Sequence, residues 1–371
     1  MLNLLFIFGT RPEAIKLAPL ILEFKKNPEV FNVKVCVTGQ HREMLYQVLD
    51  FFEIKPDVDL ALMQKNQSLF EITSRILAEL EGVLNQFDPN LVFVQGDTTS
   101  AFIGSLAAFY KQKVVVHVEA GLRSGDLGSP FPEEANRTLT AQLAGIHFTP
   151  TKKAGENLAH EGIVKNVFHV GNTVIDALLI ANKRVLVMNE VYEAKFANID
   201  FSKRLILITG HRRESFGEPF KNMCNAIRTL SETNRDCNFV YPVHFNPNVR
   251  NCVFEILSGI ENVFLIEPLD YPSLVWLLGK SYLVLTDSGG IQEEAPALGK
   301  PVLVMRDVTE RIEGIEAGTA RLVGTNSEEI ISSVKNLLNS AQEYNRMSKA
   351  VNPYGDGKSS ERIVQFIREL I

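Results

Sequence analysis

Two acidic side chains follow apolar, strand-like runs directly, and a third opens a helix nearby. Asp97 comes after residues 91–94 within Gln95-Gly96-Asp97-Thr98-Thr99, Glu119 follows 114–118, and Glu133 lies in Pro132-Glu133-Glu134. Open α/β sheets bind ligands beyond the carboxyl ends of their strands, so two strands deliver a carboxylate to one sheet edge. Paired carboxylates can move protons at neighbouring carbons. Plainer roles also exist: Asp97 can cap the next helix, and Glu133 and Glu134 can serve the dipole of theirs. Glu119, directly after Val-Val-Val-His-Val, is harder to explain that way, because a half-buried acid needs a partner.

Cations and glycines follow other runs. Residues 4–8 lead into Gly9-Thr10-Arg11-Pro12-Glu13-Ala14-Ile15-Lys16, where Pro12 suits a first helical turn and Arg11 and Lys16 flank an anion-binding start or simply coat a helix. Residues 205–209 lead into Gly210-His211-Arg212-Arg213-Glu214, and 282–286 into Asp287-Ser288-Gly289-Gly290. Backbone N–H groups of Ser-Gly-Gly can take phosphate oxygens with no Cβ in the way. Glu294, one turn on, can accept two vicinal ribose hydroxyls. A nucleotide diphosphate linked to a sugar fits this distribution. Arg11, His211 and the Ser-Gly-Gly amides would carry the diphosphate, while Asp97, Glu119 and Glu133 face the sugar. Cations make a diphosphate a better leaving group, so elimination chemistry follows.

The elements that position these groups alternate in type. Strand-like runs at 4–8, 33–37, 91–94 and 114–118, then at 205–209, 238–243, 263–266, 282–286 and 301–305, are separated by helix-length segments. This predicts an α/β protein with two Rossmann-like, doubly wound parallel sheets and the site in the cleft between them. The strands are almost wholly apolar, as when helices cover both faces. The polar stretch 189–203 reads as the linker. In the tail, Ile363, Val364, Phe366, Ile367 and Leu370 keep the period of one amphipathic helix that docks on either domain.

Composition excludes several classes. The 371 residues carry 38 basic and 44 acidic side chains, net −6, so no basic field is available for nucleic acid. Apolar residues at 45% and charged ones at 22% fit a soluble globular chain. No stretch approaches the ~20 apolar residues of a membrane helix. Cys36, Cys224, Cys237 and Cys252 form no CxxC or disulfide framework, which predicts a reducing, cytoplasmic location. There is no Walker A loop and no GxGxxG after the first run. His117, His147, His160, His169 and His244 lack ligand spacing, so no metal is expected.

Taken together, Gly9-Thr-Arg-Pro-Glu-Ala-Ile-Lys16, Gln40-His-Arg-Glu-Met44, Gly96-Asp-Thr-Thr99, His117-Val-Glu-Ala-Gly-Leu-Arg123, Pro132-Glu-Glu-Ala-Asn-Arg137, Gly210-His-Arg-Arg-Glu-Ser215, Asp287-Ser-Gly-Gly290, Thr309-Glu-Arg311 and Asn352-Pro-Tyr-Gly-Asp-Gly357 resemble the bacterial non-hydrolysing UDP-N-acetylglucosamine 2-epimerases over essentially the whole chain. The resemblance implies a glycosyltransferase-B-like fold: residues 1–171 with the catalytic carboxylates, 172–355 binding UDP, and a helix at 356–371 returning to the first domain. It implies interconversion of UDP-GlcNAc and UDP-ManNAc by anti elimination of UDP to a 2-acetamidoglucal and re-addition, with UDP retained and no dissociable cofactor.

By position, Asp97, Glu119 and Glu133 are then the acid/base carboxylates, supported by Arg137, with His211 near the diphosphate. Arg11, Lys16, Leu269, Leu274, Ser288, Gly289, Gly290, Glu294 and Arg311 become UDP or sugar contacts. Gln95 stands where many relatives have His, Gly128 where an aromatic is common and Leu274 where an aromatic often lies near the uracil, so that either base stacking is weaker here or Trp276 compensates. Gln40, Arg212 and His244 are candidates for a second UDP-GlcNAc acting as activator. A homodimer and a product used in polysaccharide or capsule synthesis are also implied. Three competitors remain open at this point: a hydrolysing enzyme releasing ManNAc and UDP, a sugar transferase of the same fold, and a sugar-nucleotide-binding regulator without turnover.

Overall fold

Apolar strands and amphipathic helices alternate throughout the computed structural model, which describes residues 1–39, 42–62 and 67–370, Arg42 by its backbone only. The first sheet holds β1 (Leu2–Phe8), β2 (Phe31–Val37), β3 (Val58–Asp59), β4 (Leu91–Gln95), β5 (Val114–Val118), β6 (Ile146–Thr149) and β7 (Val167–His169). All are parallel, in the order β3-β2-β1-β4-β5-β6-β7. The crossovers are α1 (Arg11–Lys25), α2 (Arg42–Phe51), α3 (Leu69–Phe87), α4 (Thr99–Tyr110), α5 (Glu133–Leu143) and α6 (Lys152–His160). Next comes α7 (Thr173–Val187).

Leu4 to Phe8 are wholly buried, and Phe6 stacks on Phe93 of the adjacent strand at 4.6 Å. Each such aromatic contributes roughly 1.5–3 kcal/mol through the apolar surface it removes from water. On the other face of the sheet, Ile72, Ile76, Leu80 and Leu84 recur every fourth residue of α3 and are buried in one core with Leu5 and Ile7 of β1 and Val92 and Val94 of β4. That core holds β1 and β4 side by side, and so fixes the separation of the turns that follow them.

The second sheet repeats the plan with β8 (Arg204–Thr209), β9 (Cys237–Pro242), β10 (Val263–Ile266), β11 (Leu283–Thr286), β12 (Val302–Val304) and β13 (Ala320–Leu322), in the order β10-β9-β8-β11-β12-β13, again parallel. Its helices are α8 (Asn189–Lys195), α9 (Glu218–Thr233), α10 (Pro247–Leu257), α11 (Tyr271–Lys280), α12 (Gly289–Glu294), α13 (Ile312–Glu316), α14 (Ser327–Asn339) and α15 (Ala341–Ser348). Both orders contain the 3-2-1-4-5-6 arrangement of doubly wound folds. The two parallel α/β sheets expected from the alternation are therefore present. The short β3, β6, β7 and β13 were not among the expected strands.

The chain divides into two units, Met1–Ala177 with Gly355–Ile371, and Leu178–Tyr354, so the first division falls within α7. The terminal helix α16 (Ser359–Glu369) belongs to the first unit. There the Asp176 carboxylate receives the Ser359 and Ser360 N–H groups at 3.2 and 2.7 Å, a cap worth about 1 kcal/mol supplied from a distant helix. Ile363, Val364 and Ile367 are buried, and the Phe366 ring lies 4.5 Å from that of Phe168.

The expectation of a linker at 189–203 is corrected. Residues 189–195 form α8, and Tyr192, Phe196 and Phe201 pack around Trp276, whose Nε1 donates to Asn189 at 3.0 Å. The polar residues of this stretch form the outer face of a helix whose apolar face is covered.

Candidate active site

In each unit the charged residues gather where the winding direction of the sheet reverses, between β1 and β4 and between β8 and β11. At such a switch point neighbouring crossovers lie on opposite faces, which leaves a crevice beyond the strand ends.

In the first unit Glu119 ends β5 with φ +62°, a backbone conformation that non-glycine residues adopt at a cost. The residue is 9% exposed. Oε1 pairs with Lys16 of α1 and receives Asn172 Nδ2 at 2.9 Å, while Gln95 at the end of β4 donates to Oε2. The buried acid thus has the partners it demands. Asp97 lies one turn away: Oδ2 pairs with Arg137 of α5 at 2.6 Å, and its carbonyl receives Asn136 Nδ2 at 2.9 Å. Asp97 does not cap α4. The cap is Thr98, whose Oγ1 receives the Ala101 N–H at 3.0 Å.

Arg137 also pairs with Glu134 at 2.8 Å, and Glu134 receives the Ser124 and Gly125 N–H groups at 2.9 and 3.2 Å. Burial opposes ionisation of Glu134, yet these bonds and the Arg137 charge hold its carboxyl below the ordinary range. Burial likewise disfavours the Arg137 cation, and Asp97 and Glu134 together more than offset it. Glu133 is half-buried at the start of α5 and accepts no hydrogen bond among the described residues. Arg11, also half-buried, makes no ion pair there.

Beneath these groups, His117 Nε2 shares a hydrogen bond with the Gly96 carbonyl at 2.8 Å, and His147 lies opposite His117 on β6. Burial pushes His117 down to about 3 and His147 to about 4. Both are neutral near pH 7, so neither ring adds a positive charge to this site. Gly121 fixes the next turn: at φ +89°, an added Cβ would meet the Ala154 carbonyl oxygen at 2.1 Å.

In the second unit Asp287 takes the central place. It is fully buried at the end of β11, and Oδ2 receives the backbone N–H groups of His211 and Arg212 at 2.7 and 2.8 Å. The His211 ring is exposed and stacks on His244 at 5.0 Å, with its Nδ1 3.9 Å from Asp287 Oδ1. Ser288 precedes the short helix α12, and Gly289 packs so that an added Cβ would lie 3.4 Å from the Arg311 guanidinium carbon. Arg311 Nε donates to the buried Glu293 at 2.7 Å, and Glu294 receives the Tyr271 hydroxyl at 3.3 Å. Leu269, after β10, and Leu274, on α11, are half-buried. Among the described residues no group of His, Cys, Asp or Glu is placed to hold a metal ion, and no helix is long and apolar enough to cross a membrane.

Comparison with known proteins decides the family. The model of the UDP-N-acetylglucosamine 2-epimerase family matches residues 23–368. The UDP-N-acetylglucosamine 2-epimerase of Salmonella typhimurium is 54% identical over 99% of this chain and 98% of its own length. The chain belongs to the UDP-N-acetylglucosamine 2-epimerase family.

Solved structures of family members agree. The UDP-GlcNAc 2-epimerase from Neisseria meningitidis bound to UDP-GlcNAc has 49% identity and a TM-score of 0.91, covering 99% of this chain and 100% of that one. The Methanocaldococcus jannaschii enzyme in complex with UDP-GlcNAc and UDP has 35% identity and a TM-score of 0.81, covering 99% of each chain.

Within this epimerase-family chain, Lys16 meets Glu119 and Asp97 meets Arg137, while Gly289 packs on Arg311 and His211 is tied by its N–H to Asp287. Gln40 lies outside the described residues. Trp276 is 1% exposed and packed under α8, so its expected role in base stacking is corrected: the ring has no open face.

Sequence reading missed Glu13, Asn172, Glu134 as the partner of Arg137, Asp287 and Glu293. For Glu13 a signal existed, the Thr10-x-x-Glu13 capping-box spacing. For Glu134 the i,i+3 spacing to Arg137 on one helix was such a signal too, whereas Asn172, Asp287 and Glu293 are defined by contacts between segments apart in sequence, which no local pattern announces.

Proposed function

We propose that the protein interconverts UDP-N-acetylglucosamine and UDP-N-acetylmannosamine by inverting C2 without net hydrolysis. A carboxylate removes the C2 proton, and the C–H electron pair forms the C1=C2 bond. The C1–O bond breaks and its electrons leave with the β-phosphate oxygen of UDP. The resulting 2-acetamidoglucal then receives a proton on the opposite face of C2, and the same UDP oxygen re-bonds to C1. No electrons are gained or lost overall, so no redox cofactor is required.

Asp97, Glu119 and Glu133 take the acid/base roles. Arg137 pairs with Asp97, and Lys16 with Glu119. His211, Ser288, Gly289, Gly290, Glu294 and Arg311 take UDP, with Leu269 and Leu274 near the base, and Arg11 meets phosphate charge. Retention of UDP through turnover, a homodimer, an activating second UDP-GlcNAc near Arg212 and His244, and a cytoplasmic location belong to the same reading.

One observation carries it. Two carboxylates on neighbouring strand ends, Asp97 and Glu119, are each held by a cation at the switch point, an arrangement suited to moving protons on opposite sides of one carbon. Turnover of UDP-GlcNAc in deuterated water is expected to label C2 in both epimers. Unlabelled C2 in either epimer would overturn the mechanism, and free ManNAc as the main product would replace it with the hydrolysing reaction.

A further inference from the structure

The turn after β1 contains a capping box whose acid does more than cap. Ordinarily the Glu of such a box receives the N-cap backbone N–H and stays in water. The same chain supplies that case at α3, where Glu71 receives the Ser68 N–H at 2.7 Å and hydroxyl at 2.9 Å, remains exposed, and is held below its ordinary pKa by those bonds.

Glu13 differs in three respects. It is 1% exposed. Its Oε2 takes the Gly9 N–H at 3.0 Å in addition to the Thr10 N–H at 2.8 Å and hydroxyl at 2.7 Å. Its Oε1 reaches out of the helix to receive the Thr98 hydroxyl at 2.7 Å, 85 residues away in sequence. Thr98 already accepts the Ala101 N–H as the cap of α4, so its single proton is committed to Glu13. Burial pushes the Glu13 carboxyl up to about 7, against the hydrogen bonds from Thr98, Thr10 and Gly9. An acid kept in the interior at that cost, next to the charged groups of a site, has a functional rationale that an exposed capping acid lacks.

We propose that Glu13 is a positioning residue: its buried carboxylate fastens the β1 turn, which carries Arg11 and Lys16, to the β4 turn, which carries Asp97. Lys16 lies one turn beyond Glu13 on α1 and pairs with Glu119, while Asp97 immediately precedes Thr98. One side chain therefore sets the spacing between the two cation–carboxylate pairs. Its kinetic consequence rests on the epimerase reading above, since a displacement of about 1 Å at reacting groups costs on the order of 10²-fold in rate.

The test compares Glu13→Gln, Thr98→Val, Thr98→Ser and the Glu13→Gln/Thr98→Val double variant in the full-length protein, with Glu71→Gln as control. Glu13→Gln and Thr98→Val are each expected to lower kcat by about 10- to 100-fold. The double variant should be no slower than the slower single one, because both changes break the same link. Thr98→Ser, which keeps the hydroxyl, should retain kcat, as should Glu71→Gln.

Amide hydrogen exchange supplies a readout that does not depend on the reaction. Exchange at Gly96–Thr98 should quicken in Glu13→Gln while the interior of β4 stays protected. Wild-type kcat in folded Glu13→Gln, or in Thr98→Val where Glu13→Gln does not fold, overturns the proposal, as does unchanged exchange at Gly96–Thr98. Absence of C2 labelling in the wild type would instead overturn the epimerase reading and leave the clasp to be judged by exchange.

Discussion

The two switch points share a construction and differ in what it holds. In each, a buried carboxylate from one strand-end turn receives hydrogen bonds from the turn beside it: Glu13 reaches from the β1 turn to Thr98, and Asp287 reaches from the β11 turn to the His211 and Arg212 N–H groups. Around Glu13 the further charges include two carboxylates each paired with a cation, Glu119 with Lys16 and Asp97 with Arg137. Around Asp287 they are backbone N–H groups, the exposed His211 and the Arg311 guanidinium resting on Glu293. In the reading proposed above, the same fold carries proton-transfer groups at one switch point and anion receptors at the other. Function follows from the residues placed there and not from the fold, which is common to both.

The most severe test of that division is removal of one proton-transfer group at a time. Asp97→Asn and Glu119→Gln preserve shape but cannot exchange a proton at neutral pH, so each should lower kcat by on the order of 10² or more. UDP affinity, which in the proposed reading rests on Arg11 and the second unit and not on these carboxylates, should stay within about twofold by isothermal titration. If either variant keeps wild-type turnover, that carboxylate is not part of the chemistry and the contrast between the switch points fails.

Equilibrium unfolding against pH sharpens the comparison from the stability side. Glu13 is raised from an ordinary value of 4.5 to about 7, so between those values the folded state binds the proton that the unfolded state has already released. Its contribution to stability therefore declines as pH rises from about 4.5 to about 7, by about 1 to 3 kcal/mol on linkage grounds. Glu13→Gln cannot titrate, so the wild-type-minus-variant difference should fall through that window and be flat above it. A difference that is flat throughout would show that the buried acid is not under strain from desolvation.

At the other switch point, Arg311→Lys keeps the charge but loses the planar group that lies over Gly289 and donates through Nε to Glu293. The dissociation constant for UDP should rise by about 10-fold, since Lys does not replace a fixed, planar donor. C2 labelling per turnover should be unaltered. A loss confined to kcat would move Arg311 from the anion-receiving group to the chemistry.

Much of this was legible in the chain. Apolar runs such as 4–8 and 114–118 announce buried parallel strands because both faces must be dry, and the residues following them are the candidates for a site because strand ends open into a crevice. What escaped reading has a common physical origin. Val58–Asp59, Val167–His169 and Ala320–Leu322 are too short for a period to register. The stretch 189–203 read as a linker because its solvent face is polar, while its few aromatics cover Trp276 from outside. Asn172 meets Glu119 across 53 residues and Asp287 meets His211 across 76, contacts that only the closed sheet creates. Glu13 is intermediate: its spacing from Thr10 marks a cap, but nothing local reveals that Thr98 will bury it.

That last distinction yields the smallest expected effect. Glu13 and Glu71 occupy the same place in the same capping motif, yet their titrations should have opposite sign. Glu71 is exposed, and the Ser68 hydrogen bonds lower its pKa, so its contribution is present above the ordinary carboxylate value and is lost as pH falls below it. Glu71→Gln should shift the melting temperature by less than about 2 °C near pH 7, with the difference shrinking further in acid and no change in kcat. A Glu71→Gln profile that instead resembled that of Glu13→Gln would mean that the capping geometry, and not burial against the β4 turn, governs both acids. The clasp at the first switch point would then have no special claim on the reaction.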